Sequence, residues 1–181
     1  MTTQTAISTW SIDGAHSIAE FAVKHMMIST VKGRFRDLSG TIQIDEARPE
    51  NSSVEAAIQT ASIDTGVEQR DAHLRSGDFF DADAFPTIAF RSTRVERTAG
   101  DEWNVYGDLT LHGVTRTVVL DLEFEGETID AWGKRRAAFT ATTSINRRDF
   151  GLNWNGVIEA GGVVVQDKVK ITLHIAAVLA E

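Results

Sequence analysis

No cysteine occurs in the 181 residues, so disulfides and thiolate metal ligands are excluded. No apolar run approaches the roughly 18 residues that a membrane-spanning helix needs. The opening residues, MTTQTAISTW, lack the basic segment and following apolar run of a secretory signal. We therefore expect a protein that makes no stable insertion into a membrane and resides in the cytoplasm rather than in the periplasm or outside the cell.

Positive charge is also scarce. The chain has 18 lysines and arginines against 26 aspartates and glutamates, for a formal net charge of -8. Lys32, Arg34 and Arg36 share one strand phase, but three charges are too few for a basic groove. The composition therefore predicts no nucleic-acid partner.

The usual catalytic motifs are missing as well. The sequence has no GxSxG elbow, dinucleotide or phosphate-binding glycine loop, HExxH zinc motif or EF-hand loop. No two of its histidines have a metal-binding spacing, and they occur at His16, His25, His73, His112 and His174. We therefore predict no catalytic residue, no metal and no cofactor.

What the sequence does contain is alternation of apolar and polar residues with period two, which is typical of half-buried antiparallel strands. Eight such segments lie at about 18–26, 35–44, 54–62, 87–95, 103–111, 118–124, 137–145 and 169–177. In the second segment the apolar phase shifts after Phe35, which predicts a bulge near Arg36 and Asp37.

The helical exception lies between the third and fourth strands. Thr65 and Glu68 match a capping box, and Asp71 and Arg75 have the spacing of an i,i+4 ion pair. The following GDFFDADAF segment suggests a second short helical turn.

Eight amphipathic strands with so little helix must pack on one another, as a sandwich or as a closed barrel. The pattern therefore predicts an all-β fold of one domain over residues 1–181, with eight antiparallel strands and one or two short helices between strands 3 and 4. Small residues in the inward phase leave room for an elongated apolar cavity, and they are Gly40, Ala56, Gly107, Ala137 and Ala141. The alternative is that Phe and Trp side chains fill the interior.

The segment INRRDFGLNWNG at 145–156 combines two arginines and an aspartate with aromatic side chains. One interpretation is a buried Arg–Asp pair that stabilises a strand end. The other is a polar clamp at a barrel mouth, because guanidinium geometry suits phosphate.

Several motifs together resemble the YceI family, the lipocalin-like polyisoprenoid-binding proteins of bacteria. They are IDGAHS, FAVKH, SIDTG, RDAHL, FPTIAF, LTLHG and INRRDFGL, in this order, and the resemblance runs from about Trp10 to Ile175. The resemblance implies an extended eight-stranded antiparallel, lipocalin-like barrel with a long, mainly apolar interior that binds an isoprenoid chain, such as a polyprenyl phosphate or an isoprenoid quinone. It implies no enzymatic activity.

Strand phase, rather than the resemblance, identifies candidate ligand-binding residues. The side chains predicted to line the cavity are Phe21, Val23, His25, Phe35, Ile42, Ile58, Phe90, Trp103, Leu120, Phe139 and Ile171. The predicted head-group contacts are Arg34, Arg147 and Arg148. The sequence leaves open whether His25 is a core histidine or a cavity hydrogen-bond donor, and whether a homodimer forms.

The sequence thus predicts non-enzymatic sequestration, storage or transport of a long-chain isoprenoid lipid. Two alternatives remain open at this point. One is an enzyme that acts on a lipid held in the cavity, with His25 or His16 as acid and base. The other is a filled barrel that serves as a stress-response interaction module.

Overall fold

A computed structural model describes residues 7–156 and 164–180 of the chain. Its strands are β1 (Ile7–Ile12), β2 (Ile18–His25), β3 (Ser29–Phe35), β4 (Leu38–Asp45), β5 (Ser53–Gln59), β6 (Ile63–Asp64), β7 (Thr87–Ala99), β8 (Glu102–Leu111), β9 (Val114–Ile129), β10 (Arg135–Asn146) and β11 (Val165–Leu179). The α-helix α1 spans Glu68–Arg75. None of the described helices has the length and apolar character that a membrane span requires.

The strand segments form a closed antiparallel barrel of eight strands, as predicted. The ring closes because β1 pairs with β4 on one side and with β11 on the other. Three of the eight strands are interrupted, so that β2, β3 and β6 continue the courses of β1, β4 and β5. In place of the bulge predicted near Arg36 and Asp37, the strand is interrupted there, since β3 ends at Phe35 and β4 begins at Leu38.

Side chains of the IDGAHS motif hold the break between β1 and β2 in register. The Ser17 hydroxyl donates to the Ala176 carbonyl at 3.2 Å and accepts from the Ala176 N–H at 2.9 Å. One hydroxyl therefore replaces a backbone rung of the ladder, as buried backbone groups require. Asp13 accepts from the N–H of Ala15 and contacts His16 Nδ1 at 2.7 Å. This motif is thus part of the barrel wall.

The barrel has two different ends. The mouth end carries the connections 46–52, 100–101 and 130–134. The helix end carries the tight turns 26–28 and 112–113, the segment 60–86 with α1, and the residues that follow β10. Antiparallel pairing places each connection between two successive strands of the eight at one end or the other, so these groups of loops are determined by the strand order.

The predicted helix is present, but its predicted supports are wrong. Val67 precedes α1 without a side-chain capping hydrogen bond. Asp71 is buried and accepts from both the N–H and the hydroxyl of Thr65. Arg75 pairs with Glu68 at 3.1 Å instead. The GDFFDADAF segment forms turns rather than a second helix.

Packing divides into three levels along the barrel instead of one central core. The largest cluster lies toward the helix end and includes Phe35, Ile88 and Phe150. A second surrounds Trp10 near the mouth end, and a third surrounds Val105 between them. Clusters of this kind stabilise the wall, and their arrangement leaves the barrel axis available for a cavity.

Candidate functional site

A cavity of about 550 Å³ lies inside the barrel. Its lining is predominantly aliphatic and aromatic, and it includes residues from both ends of the barrel, Glu46 and Asp101 at the mouth end and Leu74 and Arg147 at the helix end. The volume is within the range of small-molecule binding sites, roughly 300–1,000 Å³. The cavity therefore follows the barrel axis and is an elongated apolar site.

Small inward residues create this space in two ways. Ala56, Ala137 and Ala141 line the cavity directly. Gly40 and Gly107 instead admit a neighbouring side chain, because a Cβ on Gly40 would lie 2.8 Å from Ile12 Cδ1 and one on Gly107 would lie 2.4 Å from Phe90 Cζ. The prediction that small residues leave room is thus correct, although the two glycines act through their neighbours.

Aromatic and aliphatic side chains cover the helix end. Leu74 of α1 and the following Phe79 and Phe80 face the cavity. The Phe80 ring meets the Phe35 ring edge-on at a centroid distance of 5.7 Å, and Phe21 lies 5.7 Å from Phe35 on the other side. These contacts link the helical segment to the strands and make an apolar floor.

The mouth end is more polar. Glu46, Arg97, Asp101 and Glu127 reach the cavity lining there. Arg97 donates from Nε to the Gly100 carbonyl at 2.7 Å, which orients it at the rim. Carboxylates outnumber arginines among these four residues, so this end is a poor location for an anionic group.

Arg147 supplies the cation at the helix end, and it is almost completely buried, with 3% of its surface exposed. Its guanidinium donates to the carbonyls of Leu152, Trp154 and Gln166 at 2.6, 2.8 and 3.0 Å. Burial lowers the pKa of Arg147, and the adjacent charge of Arg148 lowers it further. A guanidinium held mainly by neutral carbonyls leaves positive potential at this end of the cavity.

This arrangement corrects both interpretations of the INRRDFGL segment. The predicted partner of the buried arginine is wrong, because Arg147 lies 3.8 Å from Asp167 and bonds backbone carbonyls, whereas Asp149 is exposed. Arg147 fixes the chain that follows β10 against β11. It also lines the cavity at the helix end, not at the mouth.

All of the predicted lining residues except His25 lie in the cavity wall. They are Phe21, Val23, Phe35, Ile42, Ile58, Phe90, Trp103, Leu120, Phe139 and Ile171. Because strand alternation alone selected them, the phase was read correctly on every strand concerned. Their contact with a ligand stays a prediction.

Three predicted site residues lie elsewhere. His25 is the last residue of β2, beside the turn at 26–28, is half-buried, and does not line the cavity, although it still pairs with Val165 and Ser29 in the wall. Arg34 points outward and lies 4.0 Å from Asp64. Arg148 is on the surface and bonds Asp167 at 2.7 Å. His25 was misplaced because strand phase does not show where the barrel ends, whereas Arg34 was chosen for its charge although it alternates with the inward-facing Phe35.

Two groups of lining residues were missed. Trp10 and Ile12 lie on β1, which was not predicted although its STWSI stretch alternates. Leu74, Phe79 and Phe80 belong to the helical segment, which packs against the barrel end and shows no apolar–polar alternation in its sequence. The first omission was avoidable from the sequence, and the second required the tertiary structure.

The remaining histidines have local structural partners. His73 contacts Asp78 at 2.8 Å, and His112, with φ of 55°, contacts the Phe150 carbonyl at 3.1 Å. His174 lies on the outer face, 3.8 Å from Glu20. Within residues 7–156 and 164–180, no group of three or more histidines and carboxylates is placed to hold a metal ion.

Comparison with known proteins finds the same architecture. The YceI-like domain profile matches residues 10–177. A UPF0312 protein of Pseudomonas fluorescens is 44% identical over 144 residues, covering 77% of this chain and 73% of that protein. The crystal structure of Burkholderia cenocepacia BcnA superposes with a TM-score of 0.80 at 25% identity, covering 91% of this chain and 98% of that one.

A more distant structure has the same fold. It is a polyisoprenoid binding domain from Saccharophagus degradans, described as implicated in plant cell wall breakdown, with a TM-score of 0.71 at 18% identity. It covers 94% of this chain and 98% of its own. On the strength of the profile match and the closer relatives, this chain belongs to the family of proteins with a YceI-like domain.

Proposed function

We propose that this protein binds a long-chain isoprenoid lipid, such as a polyprenyl phosphate or an isoprenoid quinone, inside the barrel. The observation that carries the proposal is the apolar cavity that follows the barrel axis from Glu46 to Arg147. The protein would sequester, store or carry the lipid without changing it. Membership of the YceI-like family supports a binding function rather than an enzymatic one.

The energetics favour an extended apolar chain over a compact polar ligand. Transfer of each CH₂-sized group out of water contributes about 0.8 kcal/mol, so a chain of many such groups binds without specific hydrogen bonds. Polar groups of the lining are concentrated toward the two ends. Such a site selects a ligand by its length and by the chemistry of its polar end.

Arg147 is the predicted head-group contact that remains in the cavity wall. Its positive potential favours an anionic or electron-rich polar end at the helix end, whereas Glu46, Asp101 and Glu127 disfavour an anion at the mouth. We therefore propose that the polar end of the lipid points toward Arg147. Arg34 and Arg148 are excluded from this role by their outward positions.

The residues proposed as acid and base in the enzymatic alternative do not line the cavity. His25 and His16 both lie outside the cavity lining, and His16 is held by Asp13 on the outer side. The filled-barrel alternative requires a collapsed interior, which the cavity opposes. Neither alternative has an observation in its favour.

The test is native mass spectrometry of the purified protein, followed by mass spectrometry of an organic extract. We expect one bound isoprenoid lipid per chain, or stoichiometric uptake of an added long-chain polyprenol or quinone. A protein that purifies empty and takes up neither class would contradict the proposal.

A further inference from the structure

The turn between β2 and β3 exposes three consecutive apolar side chains, which we call the apolar tip. Met26, Met27 and Ile28 are 39%, 52% and 86% exposed. Contiguous exposed apolar surface on a soluble protein marks a surface that another molecule covers. Its position at the end of a hairpin lets the tip enter that molecule without disturbing the barrel.

The backbone of the tip is unusual for these residues. Met26 and Met27 have φ values of 53° and 65°, in the left-handed region that Gly and Asn adopt most readily. Ser29 reinforces the turn by donating its hydroxyl to the His25 carbonyl at 3.0 Å. Two methionines thus occupy positions that small polar residues would fill at lower conformational cost, which points to a role for their side chains.

Lysines are concentrated beside the tip. The chain has five, and four of them, Lys24, Lys32, Lys168 and Lys170, are on β2, β3 and β11. The strand register places Lys170 and Lys32 on either side of Ala22, about 10 Å apart at roughly 4.8 Å per strand. Lys24 is two residues further along β2, and Lys168 is two residues from Lys170 on β11, so all four face outward.

These four lysines, which we call the lysine face, lack carboxylate partners in the described part of the chain. The nearest carboxylates in sequence are already engaged, since Asp167 bonds Arg148 at 2.7 Å and Glu20 lies 3.8 Å from His174. Among the described residues, the lysine face is therefore a cationic surface without ion-pair partners, in a protein whose formal net charge is -8. The negative net charge of the chain gives no indication of this cationic surface.

We propose that the apolar tip and the lysine face dock this protein on the surface of an anionic lipid bilayer. The tip would enter the boundary between head groups and acyl chains, while the lysines contact lipid phosphates at the level of the head groups. A nucleic acid would match the lysines but would leave Met27 and Ile28 in water. The combination of adjacent apolar and cationic surfaces therefore favours a bilayer.

The docking surface shares β2 with the cavity. Phe21 and Val23 on the inner face of β2 line the cavity, and Lys24 on its outer face belongs to the lysine face. Over Ser29–Gly33, β3 pairs with β2 alone among the described strands, since its pairing with β6 is confined to Arg34 and Phe35. Docking would thus hold the bilayer next to a part of the barrel wall where β3 is paired on one side only. Docking on a bilayer does not require a lipid in the cavity, so this proposal is independent of the proposed function.

Vesicle co-sedimentation tests the docking surface. The intact protein is mixed with phosphatidylcholine vesicles, with or without phosphatidylglycerol, at low and high salt. We expect binding that requires phosphatidylglycerol and weakens with salt. Lys→Gln substitutions at positions 24, 32, 168 and 170 should each weaken binding about fivefold.

The tip is tested by a triple variant, Met26→Asn, Met27→Gly and Ile28→Ser. Asn and Gly suit the left-handed backbone, so the variant should remain folded while its vesicle binding falls at least tenfold. Trp132, 81% exposed, and Lys134 lie at the mouth end and provide matched controls. Trp132→Ser and Lys134→Gln should leave binding unchanged.

Two results would overturn the proposal. One is a wild-type protein that does not sediment with phosphatidylglycerol vesicles at low salt. The other is an equal loss of binding in the mouth-end controls, which would show that adsorption does not depend on the lysine face and the apolar tip. Because no isoprenoid is present, a failure here leaves the cargo test of the cavity unaffected.

Discussion

The ring of Phe90 on β7 covers the backbone of Gly107 on β8, so that a Cβ at position 107 would lie 2.4 Å from Phe90 Cζ and 2.6 Å from the Arg91 carbonyl oxygen. Phe90 also lines the cavity. Because Gly107 has no side chain, the Phe90 ring can lie against its backbone, and the position of this ring determines the width of the cavity.

Gly107→Ala should therefore displace Phe90 and narrow the cavity. Because the Arg91 carbonyl is also in the way, the backbone must move, and overpacking of this kind costs about 1–3 kcal/mol. We expect a lower free energy of unfolding and weaker binding of an apolar dye. The double variant with Phe90→Leu should recover dye binding, and a Gly107→Ala variant with unchanged dye binding and stability would contradict this packing.

The neighbouring arginines 147 and 148 should differ strongly in their importance. Arg147 is 3% exposed and donates to four backbone carbonyls, so Arg147→Met leaves buried acceptors unpaired. Each such acceptor costs about 1–3 kcal/mol, so we expect a loss of several kcal/mol. Arg148→Met removes one exposed ion pair and should cost at most about 1 kcal/mol.

Urea unfolding of both variants measures this difference. Similar losses at the two positions would show that the carbonyl contacts of Arg147 do not stabilise the fold. Arg147→Lys adds a second control, because lysine keeps the charge but cannot reproduce the fork of donors. It should be destabilised nearly as much as Arg147→Met.

Arg136 links the barrel wall to the turn at 130–134. It donates to Asp130 at 2.7 Å and to Asp13 at 2.8 Å. The Arg136 guanidinium holds the pKa of both carboxyl groups below the ordinary value, and the backbone N–H of Lys134 assists at Asp130. A carboxyl group with a lowered folded-state pKa contributes stability above its unfolded pKa, and this stability is lost as the pH falls through the folded value.

Arg136→Gln should therefore lower stability at neutral pH and make it less sensitive to acid below about pH 4. Thermal unfolding measured between pH 2 and 7 should show the wild-type and variant curves converging as the pH falls. Arg94, which pairs with Glu96 on the surface at 3.4 Å, provides a control, because Arg94→Gln should change little at any pH. A gap that stays constant down to the lowest pH would contradict the ionic role of Arg136.

Strand alternation was enough to predict the strands and most of the cavity wall, whereas the choice of a barrel over a sandwich depended on the family resemblance. Each inward phase extends over several residues, as from Leu120 to Phe124, so a small error in a strand boundary does not change which side chains face inward. The small residues Ala137 and Ala141 also indicated the free space. Period two is a strong signal here because one face of every strand is apolar and the other faces water.

Contacts between distant segments could not be predicted in the same way. The spacing of Thr65 and Glu68 suggested a capping box, and that of Asp71 and Arg75 an ion pair. The fold instead buries Asp71 against Thr65. His25 follows the inward phase of β2, but it is the last residue of the strand, where an inward-facing side chain no longer lies in the cavity. Both errors arise because sequence spacing does not show where an element meets the rest of the fold.

The most direct test of the account is displacement of an apolar dye from the cavity by prenols of increasing length. We predict that long polyprenols displace the dye at one molecule per chain and that geraniol does not. Phe139→Asp, in the cavity wall, should abolish dye and polyprenol binding, whereas Ala138→Asp, exposed on the same strand, should not. Equal binding by the folded Phe139→Asp variant, or no preference for long chains, would contradict a lipid-binding cavity in this barrel.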